Sequence, residues 1–331
     1  MSSTPSRSRR LARRLVSNVP PIDRLIEERD RSRQENRELR SKVRRLRRAR
    51  RNLLLEHGAF PPGHFYSPIP DLAVADELQA SEPVAGPRSL PGIEEAYDDQ
   101  LRLVRELATY YEELPFPHQR SEEFRYFYDN RYYTYSDAIF LYGMLRHLRP
   151  RRVVEVGAGY SSCVILDTNE RFLDGNTDVT LIEPYPKRFL RLVSQHPGGY
   201  RLIAEPVQQA DPNALASLSA GDVLVIDSSH VVKTGSDVNF LVFQVLPHLP
   251  VGVYVHVHDV FYPFEYPAEW VRQGKFWSEA YLLRAFLQYN SAFRIAVMNH
   301  GVAARSPELL KELMPLCLRN TGGSLWIHRT A

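Results

Sequence analysis

The chain has 331 residues, of which 44% are hydrophobic, and this supply of apolar side chains predicts a globular protein and excludes a disordered one. Its two cysteines, Cys163 and Cys317, are too few for a disulfide framework and lack the CxxC spacing of a metal site. The net charge of +3 hides an asymmetry, since residues 1–56 carry 18 Lys/Arg against 7 Asp/Glu, while the remainder carries 24 against 32. A basic arm is therefore joined to an acidic body.

No segment approaches the roughly 20 apolar residues that a membrane-spanning helix needs. The basic stretch at 9–14 is not followed by the apolar run of a signal peptide, because Asn18, Pro20, Pro21 and Asp23 interrupt it. Together with the low cysteine content, these features lead us to expect no membrane span and a cytoplasmic location.

The arm, residues 1–56, contains a predicted helix from Pro21 to about Leu55. Leucines recur there at seven-residue spacing with one interruption, at Leu25, Ser32, Leu39, Leu46 and Leu53. The alternate seam positions hold Arg29, Asn36, Val43 and Arg50. Because a buried Asn favours a two-stranded coiled coil and seam arginines weaken one, two alternatives stay open, a homodimer through residues 22–55 or a solvated basic helix. A nucleic-acid partner is disfavoured, since the arm lacks a reading motif and interleaved aromatic residues.

Residues 57–92 are rich in proline and glycine, which predicts a linker between the arm and a main domain over 93–331. Within the linker, His64, Phe65 and Tyr66 give residues 63–70 an aromatic content that is unusual for a flexible tether. This segment either lies on the main domain or is an ordinary proline-rich turn.

The main domain alternates helical and extended patterns. Amphipathic spacing predicts a helix over 93–114, and Ser136-Asp137 opens a second helix from Ala138 to Leu148. Short apolar runs then predict strands at Val153–Val156, Val179–Ile182, Arg201–Ile203, Val223–Ile226, Val251–Val257, Phe293–Met298 and Ser324–His328. Strands that alternate with helices indicate βαβ units, so we predict an α/β fold with a mainly parallel, seven-stranded sheet.

The first predicted strand runs through Glu155 into a turn that contains Gly157 and Gly159 and then into a helix. Such a turn lets a nucleotide-like ligand approach the backbone at the carboxyl end of the strand. The carboxylate of Glu155 suits the positive charges of S-adenosylmethionine (SAM) better than the pyrophosphate of NAD. In addition, Ser162 stands where the NAD fingerprint requires Gly or Ala. Glu183 closes the second strand and suits the ribose hydroxyls of either cofactor.

With Glu155-x-Gly157-x-Gly159, Glu183 and a fourth strand ending at Asp227, the stretch from about 126 to 329 resembles the class I SAM-dependent methyltransferases. The resemblance implies a Rossmann-like, doubly wound fold, SAM as the cofactor and an enzyme of the methyltransferase class. It assigns the cofactor contacts to Glu155, Gly157, Gly159, Tyr160, Ser161, Glu183 and Asp227. The sequence departs from the family pattern at Ser161, where many members carry a third glycine.

Polar residues follow two neighbouring strands, as Asp227-Ser228-Ser229-His230 after the fourth and His256-Val257-His258-Asp259 at the end of the fifth. Because adjacent carboxyl ends of parallel strands converge on the ligand crevice, we expect these ionisable groups to meet there. Methyl transfer to a hydroxyl is helped by a base with a pKa near neutrality or by a divalent cation. Histidine supplies the first and carboxylates favour the second. The alternative is that both histidines are hydrogen-bonded strand-end residues without a catalytic role.

The pattern Asp227-x-x-His230 with His258-Asp259 looks like that of the metal-dependent sugar O-methyltransferases of macrolide biosynthesis and their bacterial relatives. The resemblance implies that His230 is the catalytic base, with His258 as the next candidate, and that Asp227, His258 and Asp259 hold a divalent cation. The departure is His258, where those enzymes carry a carboxylate. Since nitrogen is a poor ligand for Mg²⁺ and a better one for transition metals, the metal stays open between these two classes.

An aromatic segment, residues 261–281, follows the fifth strand. Loops above the carboxyl edge often carry specificity, and aromatic faces suit a sugar or an aromatic acceptor, although Trp277 and Tyr281 would equally suit a packed core. We therefore predict O-methylation of a hydroxyl on a small molecule or glycan. The alternative is a non-catalytic SAM-fold protein whose arm recruits partners, but such a protein would have no need for the polar residues at 227–230 and 258–259.

Overall fold

The computed structural model describes residues 22–57, 60–73 and 90–331, and these form two units, Met1–Asp71 and Leu72–Ala331. The predictions for residues 1–21 and for linker residues 58–59 and 74–89 lie outside the described part of the chain. Among the helices of the described residues, none combines the length and the apolar character needed to cross a membrane.

The first unit contains one long helix, α1 (Ile22–His57), as the sequence predicts. Its described side chains, at 24 and 26–49, are all exposed. Leu39, Val43 and Leu46 are 59%, 45% and 59% exposed, and their spacing places them on one face of the helix. The side chains of the seam residues Leu25, Arg50 and Leu53 lie outside the described residues. The predicted seam therefore forms an exposed apolar stripe at 39–46.

Residues 60–73 of the structure begin with a turn closed by a 3.1 Å hydrogen bond from the N–H of Gly63 to the carbonyl of Ile69. The rings of Phe60 and His64 stack with their centroids 4.8 Å apart. Phe65 and Tyr66 remain largely exposed. Within the first unit, these aromatic rings thus contact one another.

The second unit alternates strands and helices. Its strands are β1 (Arg152–Val156), β2 (Asp178–Ile182), β3 (Arg201–Ile203), β4 (Val223–Ile226), β5 (Tyr254–His258), β6 (Phe293–Met298) and β7 (Ser324–Arg329). Its α-helices are α2 (Tyr97–Ala108), α3 (Tyr135–Leu148), α4 (Tyr160–Phe172), α5 (Lys187–Leu192), α6 (Pro212–Ala216), α7 (Asp237–Phe240), α8 (Ala268–Arg272), α9 (Glu279–Leu287), α10 (Asn299–Arg305) and α11 (Pro307–Leu313). Shorter 3₁₀ or π turns lie at Tyr111–Glu113, Leu241–Val245, Leu246–His248 and Pro315–Leu318.

The strands form one sheet in the order β3-β2-β1-β4-β5-β7-β6. Neighbours from β3 to β5 are parallel, whereas β7 runs antiparallel to both β5 and β6. The predicted Rossmann-like, mainly parallel seven-stranded sheet is therefore confirmed. The chain order reverses between β1 and β4, and in an open α/β sheet the ligand crevice lies at the carboxyl ends of the strands at such a point.

Both faces of the sheet are buried. Successive residues of a strand point to opposite faces, so Val153 and Val223 join one hydrophobic cluster while Val154 and Leu224 join the other. Helices cover both clusters. Because the central strands are buried on both faces, their sequences are continuous apolar runs. The outcome is a rigid platform whose carboxyl edge carries the polar loops.

Several element boundaries differ from the predictions, among them the start of the second predicted helix, which begins at Tyr135 and not at Ala138, and two of the differences have a clear cause in the backbone. β5 begins at Tyr254 and not at Val251, because Gly252 has a φ of +90° and the N–H of Val253 closes a turn onto the carbonyl of Pro250. Helix α2 is shorter than the predicted 93–114 and starts after Ala96, whose left-handed φ of 43° is incompatible with a continuing helix. Leu90, at the end of the predicted linker, is buried in the core of the second unit.

Candidate active site

The turn after β1 brings two backbone segments into close approach. Gly157 has a φ of +90°, and a Cβ atom at this position would lie 1.8 Å from the carbonyl oxygen of Asp227. The N–H of Gly157 donates to the carbonyl of Ile182, and the N–H of Asp227 donates to that of Val156, each at 2.9 Å. Only glycine fits here, because any side chain would push β1 and β4 apart at their carboxyl ends.

Glu155 lies fully buried beneath this turn. Its carboxyl group accepts a hydrogen bond from Ser162 Oγ, which in turn accepts one from the N–H of Gly159 at 3.0 Å. Burial raises the pKa of Glu155 to about 8. Glu155 Oε1 is buried, and the geometric hydrogen bonds among the described residues give it no partner. Ser162 thus ties the turn together in a way that Gly or Ala would not.

Glu183 is held at the end of β2 beside the same turn. Its Oε2 accepts a hydrogen bond from the N–H of Ala158 at 3.2 Å, and its Oε1 accepts one from the N–H of Tyr185 at 2.7 Å. The carboxyl group therefore has a fixed position next to the glycine turn. Each oxygen keeps a further lone pair for the hydroxyl groups of a ribose, so Glu183 fits a nucleoside cofactor.

Two residues at the start of α4 connect the turn to its surroundings. Ser161 Oγ donates to Asp227 Oδ2 at 3.3 Å, which links the first turn to the end of β4. The ring of Tyr160 packs against those of Phe127 and Tyr132, at centroid distances of 5.7 and 6.0 Å. The structure thus brings the cofactor residues predicted from the sequence to one end of the crevice.

His230 follows β4 in a left-handed conformation with a φ of 59°. Its Nδ1 lies 2.9 Å from Glu279 Oε2, and the N–H groups of Ser278 and Glu279 donate to its carbonyl. Its Nε2 lies 3.6 Å from carboxylate oxygens of both Asp227 and Asp259. The ring is therefore fixed on one side by a buried acid and faces the two strand-end carboxylates on the other.

His258 closes β5 and has acids on both sides of its ring. Its Nδ1 lies 3.2 Å from Asp227 Oδ1 and 3.5 Å from Asp259 Oδ2. Its Nε2 lies 3.5 Å from Asp137 Oδ2. The side chains of Asp227 and Asp259 are 23% and 14% exposed, against 6% for His230 and 5% for His258. The carboxylates therefore border the crevice, and the imidazole rings lie behind them.

The charges of this cluster depend strongly on one another. Burial opposes a charge on His230, yet hydrogen bonds to Asp227 and Glu279 raise its pKa to about 10. Burial also opposes charge on His258, but Asp259 and Asp227 raise its pKa well above the ordinary value. Burial raises the pKa of Asp259 to about 6. For Asp227 burial acts in the same direction, but His258 and His230 hold its pKa well below its usual range. At neutral pH both rings are therefore in the positively charged imidazolium form before substrate binds.

Aromatic rings line the wall next to His230. The ring of Trp277 lies 4.4 Å from that of His230, and Trp270 meets Trp277 edge-on at 5.1 Å. Lys275 Nζ lies 3.9 Å above the ring of Trp270, and Phe261 contacts the same ring at 5.0 Å. The predicted aromatic segment is thus placed beside the polar cluster, which it contacts through Trp277.

Two acids of the cluster were not among the predicted site residues. Asp137 lies in the first turn of α3, where the sequence shows only a helix start. Glu279 opens α9, 49 residues after His230, with which it pairs. In the sequence, Asp137 and Glu279 each stand out only as an acidic residue at the start of a helix, a position where acids usually stabilise the helix end. Sequence reasoning could not have paired them with histidines on distant strands.

The described residues do not form a ready cation site. Within 22–57, 60–73 and 90–331, no group of three or more His, Cys, Asp or Glu side chains is placed to hold a metal ion. Nδ1 of His258 lies 3.2 Å from Asp227 Oδ1 and Nε2 lies 3.5 Å from Asp137 Oδ2, so both ring nitrogens are directed at carboxylate oxygens. This donor set does not fit the divalent cation that the resemblance to metal-dependent O-methyltransferases implies.

The fold and the glycine turn define a methyltransferase, and comparisons with known proteins agree. A family model described as a methyltransferase domain matches residues 154–260. An uncharacterised protein of Archaeoglobus fulgidus is 32% identical over 158 residues, which cover 46% of this chain and 70% of that protein. The match over residues 154–260 and the sheet order together identify a SAM-dependent methyltransferase, with SAM as its cofactor.

Solved structures with a similar fold include two methyltransferases. The O-methyltransferase TomG of Streptomyces achromogenes, in complex with SAM, is 12% identical, with 78% of this chain and 96% of that chain covered and a TM-score of 0.34. The methyltransferase PaMTH1 of Podospora anserina, bound to S-adenosylhomocysteine (SAH), is 14% identical, with 83% and 100% covered and a TM-score of 0.38. With TM-scores this low, we infer nothing about the acceptor from either.

The Gly157→Ala variant tests the position of the cofactor turn. Its new Cβ would meet the Asp227 carbonyl, so we expect SAH affinity to fall more than tenfold, which is about 1.4 kcal/mol. The matched control is Gly221→Ala, because Gly221 has a similar φ of +86° but nothing within 4 Å of the added Cβ. Calorimetry measures binding, and thermal unfolding shows whether each variant is folded. Equal SAH affinity in two folded variants would place the cofactor elsewhere.

Proposed function

We propose that the protein transfers the methyl group of SAM to a hydroxyl oxygen of a small molecule or glycan, with His230 as the general base. The observation that carries this proposal is the contact between Glu279 Oε2 and His230 Nδ1, at 2.9 Å between two buried side chains. Glu279 orients one ring nitrogen, so that Nε2 can accept the acceptor's proton once the ring is neutral, which is the fraction that grows as the pH approaches the raised pKa of His230.

The position of His230 supports this role. Its Nε2 is directed to the edge where Asp227 and Asp259 border the crevice, next to the cofactor turn that Ser161 links to Asp227. Bound SAM supplies an electrophilic methyl group on a sulfonium. The residues of the chain then have to hold a hydroxyl near that group, exclude water and take up its proton.

The aromatic wall supports an acceptor with a flat or sugar-like ring. Trp270 and Trp277 present ring faces and edges beside His230, and rings of this kind pack well on aromatic molecules and on the apolar faces of sugars. A small acceptor fits this placement better than a long polymer, because the side chain of His230 is only 6% exposed.

Incubation of the purified protein with methyl-labelled SAM and a cell extract of its source tests the proposed function. We expect the label to appear in a small molecule or glycan, as a methyl group on oxygen that mass spectrometry and NMR can locate. A methyl group on nitrogen or carbon would contradict the O-methylation proposal while leaving the methyltransferase class intact.

On the labelled acceptor, His230→Ala should lower turnover by about 10²- to 10⁴-fold, because it removes the group that accepts the proton. SAM affinity should stay nearly unchanged, since the side chain of His230 pairs with Asp227, Asp259 and Glu279 and not with a residue of the glycine turn in the described part of the chain. The matched control is His248→Ala, which removes an exposed histidine that bonds only the carbonyl of Gln244, and it should leave turnover unchanged.

The pH dependence of kcat/KM gives a second readout for the same base. Only neutral His230 can accept a proton, and its pKa is raised to about 10, so the active fraction grows about tenfold per pH unit below that value. We expect kcat/KM to rise steadily from pH 7 to pH 9. A flat profile above pH 7, or full activity of the His230→Ala variant, would show that another group is the base.

We also propose that α1 pairs with a second copy of itself through residues 22–55. Leu39, Val43 and Leu46 expose an apolar stripe on a helix whose described side chains have no packing partner in the first unit, and such a helix gains stability when the stripe is covered. The surrounding basic residues would lie outside the seam.

Light scattering on full-length variants tests the dimer. The double variant Leu39→Gln and Leu46→Gln should shift the protein from dimer to monomer, because it makes the seam polar. The control is Ser41→Gln with Arg48→Gln, two changes on the same helix away from the seam, which should leave the dimer intact. A monomeric unmodified protein would leave α1 as a solvated helix.

The proposed location is the cytoplasm. Cys163 and Cys317 are both free and buried, and this state is typical of proteins from a reducing compartment. Localisation of a tagged full-length protein in cells of its source would test this proposal.

A further inference from the structure

The carboxylates at the ends of β4 and β5 enclose a ring nitrogen of the chain itself. We propose that the imidazole of His258 takes the place of the divalent cation between Asp227 and Asp259, so that this enzyme binds no metal there and transfers methyl groups without one. The inference deepens the proposed O-methyl transfer and rests on it only for the reaction, since metal binding is measured separately.

The contacts of the ring are the first support. Nδ1 of His258 lies 3.2 Å from Asp227 Oδ1, a hydrogen-bonding distance, and 3.5 Å from Asp259 Oδ2. Nε2 on the far side of the ring faces Asp137 Oδ2 at 3.5 Å. A ligand nitrogen must direct its lone pair at the metal, whereas here both nitrogens are directed at oxygens that only accept.

The anchor behind the ring is the second support. Asp137 Oδ1 accepts hydrogen bonds from Asn299 Nδ2 at 2.9 Å, the N–H of Gly323 at 2.9 Å and Ser324 Oγ at 2.5 Å. This buried acid is therefore fixed in place by three donors from α10 and the start of β7. A rotation of the His258 ring towards a cation would break its contact with Asp137 and leave that oxygen unpaired.

Packing around the ring is the third support. The ring of Tyr133 lies 4.7 Å from that of His258, and the side chain of His258 is only 5% exposed. His258 is thus held between Tyr133, Asp137 and the strand-end carboxylates, with little room to turn. His230 adds a second imidazole nitrogen 3.6 Å from both Asp227 and Asp259. The space between Asp227 and Asp259 is thus bordered by ring nitrogens of the chain itself.

This arrangement changes how the acceptor is activated. A divalent cation would lower the pKa of a bound hydroxyl directly, and without one the proton has to leave to a side chain. Without a metal the reaction therefore depends on His230 as the base. The neighbouring carboxylates stabilise the imidazolium that forms when His230 accepts the proton.

Binding of Mn²⁺ to the full-length protein, followed by equilibrium dialysis and water-proton relaxation, tests the proposal. We expect no stoichiometric binding to the unmodified protein at Mn²⁺ concentrations up to about 1 mM. His258→Asp should gain a site for one Mn²⁺ with affinity at least tenfold higher, because it replaces the ring by a third carboxylate. His258→Asn, which removes the ring without adding a charge, should bind more weakly than His258→Asp.

The proposal would be overturned if the unmodified protein bound Mn²⁺ stoichiometrically and His258→Asn did not, since His258 would then be a ligand. A folded His258→Asp without Mn²⁺ affinity would overturn it as well, because the ring would not stand in a cation position. If His258→Asp does not fold, the unmodified protein and His258→Asn still decide the question.

Formation of the labelled product in the presence of EDTA provides an independent readout. Unchanged turnover supports the metal-free site, and loss of turnover that Mn²⁺ restores contradicts it. Failure of the proposed O-methylation can be distinguished from failure of the metal-free site. In that case the label would be on an atom other than oxygen, and the Mn²⁺ binding results would be unaffected.

Discussion

The site depends on burying several carboxylic acids around two imidazole rings. The acids are Asp137, Asp227, Asp259 and Glu279, and the rings are those of His230 and His258. A buried carboxylate without a partner is strongly unfavourable, and two facing each other are worse. Each ring lies between acids that would otherwise repel one another. Removing either ring would leave these carboxylates with one positive partner fewer. The same contacts keep His230 and Asp259 in left-handed backbone conformations that would otherwise be costly.

Asp227 joins this cluster to the cofactor turn. Its carbonyl oxygen lies against Gly157, its Oδ2 accepts from Ser161, and its Oδ1 faces the ring of His258. One residue at the end of β4 thus touches both the loop that holds SAM and the groups that would receive a proton. Asp227 thereby fixes the distance between the cofactor turn and the polar cluster.

The sequence predicted what depends on local pattern and missed what depends on distant pairing. The strands, the glycine turn and the polar strand ends follow from periodicity and spacing, so the sheet and the position of the crevice could be predicted. The partnership of Glu279 with His230 joins residues 49 positions apart, and no local signal contains it. The burial of Glu155 and its hydrogen bond to Ser162 Oγ likewise depend on how helix α4 packs on β1, which the spacing of the glycine turn does not show.

The central claim is that the turn at 155–162, with Glu183 beside it, binds SAM and not a dinucleotide. Calorimetric titration of the purified, full-length protein with SAH and, separately, with NAD measures this most directly. The account predicts a dissociation constant in the micromolar range for SAH, about 8 kcal/mol of binding free energy, and no heat of binding for NAD. Binding of NAD without binding of SAH would contradict it.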